Sequence, residues 1–200
     1  MDVKTALNDL ETEGYFVWDA FLSAKEVSDI RADYQMLFEV QAFRSAGTGN
    51  ALVSSDLNQS IRRDKTYWLD PEVLSAAQSV FWEKLEALKK EINERFFLGL
   101  WNLEGHYSHY PVGGYYQKHL DRFHSDDRRV ISMVIYLNET WAPADGGELR
   151  IHFSGDKLKT LDVAPIAGRL VCFLSEKILH EVLVTQKVRM SFAGWWTRRA

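Results

Sequence analysis

Two hundred residues, 46% of them hydrophobic, are enough for one domain with a substantial buried core. A formal net charge of −4 argues against the basic surface that dominates nucleic-acid affinity, so DNA and RNA are not expected partners. The single cysteine, Cys172, excludes an intrachain disulfide, no run reaches the ~18 apolar residues needed to span a bilayer, and Met1-Asp2-Val3-Lys4-Thr5 does not open a basic-then-apolar leader, so the chain reads as cytoplasmic and free of membrane.

In chain order, residues 3–12 predict a short helix, Tyr15-Phe16-Val17-Trp18 a strand, and Ser23 the N-cap of a helix running to about Val40. The small, polar stretch at about 45–60 has no sustained period and reads as a mobile loop, of the kind that serves enzymes as a lid. Asp70-Pro71 reads as a cap with proline at the first helical position, and Val73, Ala77, Phe81, Leu85, Leu88, Ile92 and Phe96 follow at helical spacing. From about Leu103 the period shortens, with strands expected at Val130–Leu137, Glu148–Phe153, Leu170–Leu174, Leu179–Val184 and Met190–Trp196. The expected architecture is α+β and mainly β: one domain over 1–200, with helical support in 1–100 bracing a jelly-roll core in 101–197.

His119-Leu120-Asp121 follows the aromatic segment Tyr115-Tyr116, and residues two apart on a strand project from one face, so an imidazole and a carboxylate aim at one point. His180, which begins a later strand, is the candidate third ligand, and two histidines with one carboxylate form the open-faced set associated with non-haem iron(II) rather than zinc. Taken singly, each feature has a plainer explanation. His-x-Asp occurs by chance at strand ends, a lone histidine is more often packed than ligating, and Arg189 could be an edge arginine paired with an acid. Buried in a β-sandwich, however, Arg189 needs an anion. His106, His109, His124 and His152 read as non-ligands, and Gly146-Gly147 as a tight turn with no chemistry of its own. Trp195 and Trp196, adjacent on a strand, must face opposite sides, one toward the core and one toward a pocket.

The blocks Ile61-Arg62-Arg63-Asp64-Lys65-Thr66-Tyr67-Trp68, Tyr110-Pro111 through Tyr116-Gln117-Lys118-His119-Leu120-Asp121, Tyr136-Leu137-Asn138, Gly146-Gly147-Glu148-Leu149-Arg150 and His180-Glu181-Val182 with Arg189 and Trp195 run in one order. Together they resemble the prolyl 4-hydroxylase superfamily of 2-oxoglutarate oxygenases, above all its oxygen-sensing prolyl hydroxylases and their bacterial relatives. The resemblance implies a double-stranded β-helix core, Fe(II) held by His119, Asp121 and His180, and 2-oxoglutarate and O2 as cosubstrates, with ascorbate as a plausible reductant. It also implies that Arg189 and Tyr136 hold the distal carboxylate of 2-oxoglutarate, that Tyr110 and Tyr116 line its pocket, and that Trp195 lies near the target proline. Arg62 and Asp64, which could equally form a solvated strand face, are placed by it on the substrate side. Arginine nine residues after His180, where many collagen-type relatives carry lysine at ten, points to the oxygen-sensing branch; the Tyr110-to-His119 turn is one residue shorter than in the animal enzymes. The implied reaction is hydroxylation of a prolyl residue in a protein, with release of succinate and CO2; a translation elongation factor is the one named candidate partner. Two other classes stand beside it: a 2-oxoglutarate- or peptide-binding module without turnover, or a dioxygenase acting on a small molecule. A zinc hydrolase is disfavoured by the lack of His-Glu-x-x-His.

Overall fold

Short polar side chains set where the helices begin. Asp2 caps α1 (Val3–Glu13), its carboxylate accepting the Thr5 N–H at 2.8 Å. Ser23 caps α2 (Ala24–Glu39) in a capping box: Ser23 Oγ accepts the Glu26 N–H, and Glu26 Oε2 accepts the Ser23 N–H at 2.7 Å. The third helix, α3 (Ala76–Phe96), departs from the sequence expectation. Asp70 does not cap it; its carboxylate accepts the Glu72 N–H at 2.9 Å in a tight turn, which leaves Val73 exposed. Ser75 is the cap, because Gln78 three residues on completes the reciprocal pair that Asp70 lacks.

The computed structural model describes residues 1–47, 61–122, 127–153 and 159–199. Most of the loop expected at 45–60 therefore lies outside the described residues, as does His124, while Ser45 ends a strand rather than opening a loop. The strands are β1 (Tyr15–Trp18), β2 (Arg44–Ser45), β3 (Lys65–Trp68), β4 (Leu100–Tyr110), β5 (Tyr116–His119) and β6 (Arg129–Tyr136), followed by β7 (Leu149–His152), β8 (Thr160–Val163), β9 (Leu170–Leu174), β10 (Leu179–Val182) and β11 (Arg189–Arg198). One sheet runs β1-β9-β6-β11-β4-β3-β2 and a second β5-β10-β7-β8, with antiparallel pairing throughout.

The large sheet is covered on one face by the helices. Ile30, Tyr34, Phe81, Leu85 and Ile92 pack there against Tyr107, Phe192 and Trp196. A buried polar clamp fixes the layers: Asp33 of α2 accepts from Gln78 of α3 at 2.8 Å and from the Tyr107 hydroxyl of β4 at 3.2 Å. The other face meets the small sheet across a second apolar cluster that includes Tyr136, Leu149, Ile151, Val171 and Phe173. This is the expected α+β architecture, a double-stranded β-helix with helices on its outer face. β8 was not expected, since its alternation of polar and apolar residues runs for only 4 positions. No helix among the described residues is long and apolar enough to cross a membrane.

Candidate active site

Between the two sheets lies a cavity of about 160 Å³. Its floor is written by strand alternation. On β11, Arg189, Ser191, Ala193 and Trp195 all turn into the cavity, while Phe192 and Trp196 go to the helix-side core, so the two adjacent tryptophans part as expected. Pairing places Tyr110 beside Arg189, Ser108 beside Ser191 and His106 beside Ala193 on β4, with Tyr136 and Val134 beside Ser191 and Ala193 on β6. Ser191 and Ala193, small residues at the centre of the column, leave the space open.

The small sheet supplies the roof, where His119 of β5 pairs directly with His180 of β10. Asp121 stands two residues past His119, beyond the end of the strand, so the shared-face expectation holds in result but the carboxylate arrives by a bend and not by strand periodicity. Donor atoms of His119, Asp121 and His180 all lie within 4.8 Å of one another, and His119 Nε2 and His180 Nε2 are 3.3 and 3.7 Å from the two Asp121 oxygens. Each imidazole is oriented from behind: His119 Nδ1 meets the Gln117 carbonyl at 2.7 Å and His180 Nδ1 the Ile178 carbonyl at 3.0 Å. A carbonyl can only accept, so the proton sits on Nδ1 and the Nε2 lone pair points at the carboxylate, the arrangement metal-binding histidines need. Tyr116 stacks on the His119 ring at 3.7 Å and Phe173 lies against His180 at 4.6 Å. Burial pushes the His180 pKa down to about 4, so it is neutral near pH 7. Burial would raise the Asp121 pKa, but His180, His119 and the Ser132 hydroxyl outweigh it and hold the carboxyl well below the usual range. One carboxylate with two imidazoles turned Nε2-forward suits a divalent cation.

Across the cavity from this triad, Arg189 of β11 is fully buried. Its Nε donates to the Gly147 carbonyl at 2.8 Å and its Nη1 to Ser191 Oγ at 3.2 Å. Among the described residues no carboxylate lies within 4 Å of it. The rings of Tyr110 and Tyr136 flank the guanidinium at 4.9 and 5.1 Å, and the buried Tyr136 hydroxyl has no hydrogen-bond partner among the described residues. Burial raises the pKa of both phenols, which keeps them neutral donors. An unpaired buried cation beside an unmet phenol is a costly pairing unless a ligand anion completes it.

Gly146-Gly147 therefore does more than turn the chain, because the Gly147 carbonyl holds the Arg189 fork in place. Gly147 has φ +68°, and a Cβ there would sit 3.0 Å from the Thr185 Oγ1 and 3.2 Å from the Arg189 Cδ. Arg62 and Asp64 are not a solvated face: they form a paired fork at 2.7 and 2.6 Å, Asp64 buried and Arg62 largely so, with the guanidinium 4.2 Å over the Tyr116 ring. Lys187, two residues before Arg189, turns outward to the Thr140 carbonyl at 2.8 Å. His109 stacks on Phe38 on the helix side of the sheet, and His152 bonds Glu181 on the outside of the small sheet. Missing from the sequence expectations are His106, Ser108, Ser191, Trp68 and Arg129, all of which line the cavity. The alternation that picks out Arg189 and Trp195 also picks out Ser191, and the same rule applied to β4 would have selected His106 with Tyr110.

A model of the 2OG-Fe(II) oxygenase superfamily matches residues 105–197. Over the full length of both chains the fold superposes on a Pseudomonas putida prolyl-4-hydroxylase at a TM-score of 0.88 with 38% identity. Egl nine homolog 1 of Homo sapiens is 28% identical over 94% of this chain and 44% of its own, and the hypoxia-inducible factor prolyl hydroxylase of Caenorhabditis elegans is 27% identical over 95% and 27%. The chain thus spans less than half the length of these two relatives. A Trichoplax adhaerens prolyl hydroxylase, solved with a hypoxia-inducible factor peptide, shares the fold at a TM-score of 0.82 and 22% identity, covering 98% of this chain and 88% of that one.

Proposed function

Because the chain belongs to the 2OG-Fe(II) oxygenase superfamily, on its prolyl-hydroxylase side, we propose that it hydroxylates a prolyl residue of a protein substrate, consuming 2-oxoglutarate and O2 and releasing succinate and CO2. One observation carries the reading: a single cavity has a metal-ready triad on one wall and, on the facing wall, a buried guanidinium without an acid beside a phenol without a partner among the described residues. The donor set fits Fe(II), with His119, Asp121 and His180 as its ligands, and the unmet pair fits the distal carboxylate of 2-oxoglutarate, with Arg189 and Tyr136 as its anchors. Bound iron would supply the O2 chemistry that no side chain provides, with 2-oxoglutarate as the two-electron reductant.

The chain's own residues then position and exclude. The Gln117 and Ile178 carbonyls hold both imidazoles with Nε2 forward. Gly147 and Ser191 fix two Arg189 donors and leave the rest of the fork to the cosubstrate. Tyr110, Tyr116, Val134, Leu149 and Val182 keep the walls largely apolar, which strengthens the ionic contacts within. At the other end Trp68 is half exposed and stacks on Trp195 at 6.0 Å, an aromatic surface suited to a pyrrolidine ring on a larger chain. Ascorbate as a reductant for the iron and a cytoplasmic location belong to this reading, and a translation elongation factor is the first substrate to try. The test is mass spectrometry of candidate proteins for an oxygen-sized gain of about 16 Da at proline, with Fe(II) and 2-oxoglutarate supplied or withheld. A gain that requires both supports the reading; succinate formation with no modified proline in any protein would redirect it to a small-molecule substrate.

A further inference from the structure

At the Trp195 end of the cavity, a histidine nitrogen and an indole N–H lie side by side, neither with a hydrogen-bond partner among the described residues. His106 is 4% exposed, and its Nδ1 takes both hydrogen-bond contacts of the ring, to the Tyr107 carbonyl at 3.3 Å and to Ser108 Oγ at 3.1 Å, so Nε2 is without a hydrogen-bond partner among the described residues. The Tyr107 carbonyl places the proton on Nδ1, which makes Nε2 an acceptor. Burial, helped by the Arg62 charge and opposed by Asp64, holds this ring's pKa down to about 4, so the acceptor is available at neutral pH. Its neighbour Trp195, at 5.6 Å between ring centroids, has a buried indole N–H with no hydrogen-bond partner among the described residues.

Both groups are held rigidly. Trp68, the cross-strand partner of His106 on β3, meets its ring edge-on at 4.8 Å, and Arg129, tied to Glu104 at 2.8 Å, covers the Trp195 ring at 3.7 Å. On the other flank His106 pairs with Ala193, whose single methyl leaves room in front of the imidazole. A leucine or methionine would fill such a wall without leaving a buried indole N–H unmet. A donor and an acceptor side by side complement the N–H and C=O of one extended residue, which point the same way from a strand, whereas those of one trans peptide group point opposite ways.

We infer that His106 and Trp195 form a backbone-reading subsite, His106 Nε2 accepting the N–H and the Trp195 indole donating to the C=O of one extended residue that flanks the target proline. Proline has no N–H, so the residue read is a neighbour of the target and is itself not proline. This subsite rests on the prolyl-polypeptide reading and adds to it a rule for the substrate's sequence.

The probes are the peptide acetyl-Ala-Pro-Ala-N-methylamide and two ester twins, each with one alanine replaced by lactate so that one N–H becomes an oxygen. Dissociation constants come from NMR titration of the full chain, following the Trp195 indole proton. In wild type one twin binds roughly 3- to 10-fold more weakly than the parent, the loss of one neutral hydrogen bond, and the parent shifts the indole proton downfield. In His106→Leu the parent weakens by the same factor and the twins no longer differ; His106→Gln, which keeps an acceptor, retains the discrimination. Equal binding of all three peptides to wild type, or no binding, overturns the subsite and leaves the two groups to an ordered water. Mass spectrometry separates the two levels: hydroxylated proline with equal binding sinks the subsite alone, and no prolyl hydroxylation in any protein sinks the reading beneath it.

Discussion

Arg189 is where the cosubstrate assignment is most exposed to test. Truncating Arg189→Ala removes a fully buried guanidinium that has two donors committed, to Gly147 and Ser191, and no acidic partner among the described residues. Its remaining donors would form a charge-assisted fork with the distal carboxylate of 2-oxoglutarate at a buried position, so loss of that fork costs roughly 2–4 kcal/mol of binding, on the order of 30- to 1000-fold. Arg189→Lys should be intermediate, because lysine keeps the charge but not the planar fork and cannot reproduce both fixed contacts. Lys187→Ala is the control, since Lys187 turns away to Thr140 and Asp145 and should not matter to the cosubstrate. The assay is anaerobic calorimetry of 2-oxoglutarate binding to the iron-loaded protein, with iron affinity measured in parallel. A larger loss in Lys187→Ala than in Arg189→Ala, or no loss in either, would refute the anchor.

Three further outcomes follow from the same geometry. Tyr136→Phe removes the unmet hydroxyl, so the protein without ligand should melt no lower than wild type, while 2-oxoglutarate binding weakens roughly 5- to 20-fold; equal binding would show that the phenol takes no part. Gly147→Ala forces a Cβ toward Thr185 and Arg189 at a φ of +68° and should cost about 1–2 kcal/mol of stability in denaturant unfolding, along with part of the 2-oxoglutarate affinity and none of the iron affinity. His106 is depressed to about 4 in the fold against 6.5, so the unfolded chain takes up a proton first as pH falls. Its stabilisation is full above pH 6.5 and is lost toward pH 4 at about 1.4 kcal/mol per pH unit, and His106→Gln should remove that share of the slope over the window and leave the share that His180 carries.

Much of this site could be read from the chain because its chemistry sits on regular strands. Alternation alone separates Trp195 from Trp196 and puts Arg189 on the pocket face, and the apolar run ending at Tyr136 marks a central strand whose phenol needs a partner. Less legible was whatever depended on pairing between distant segments. The order that sets β9 between β1 and β6 leaves no local trace, and His106 gains meaning only when the register places it opposite Ala193 and Trp68. The start of α3 was misplaced because Asp-Pro and Ser-x-x-Gln are both helix-start signals, and only the second satisfies two backbone donors at once. Arg62 and Asp64 alternate like an exposed strand, yet their mutual neutralisation lets both be buried against Tyr116.

The central claim is that His119, Asp121 and His180 together carry an iron on which 2-oxoglutarate turnover depends. Succinate released from 2-oxoglutarate, measured with and without added Fe(II) for wild type and for His119→Ala, Asp121→Ala and His180→Ala, tests it most directly. The geometry predicts iron-dependent succinate from wild type and almost none from any of the three variants, each still folded by circular dichroism; near-wild-type release from any one of them would contradict the assignment of that ligand.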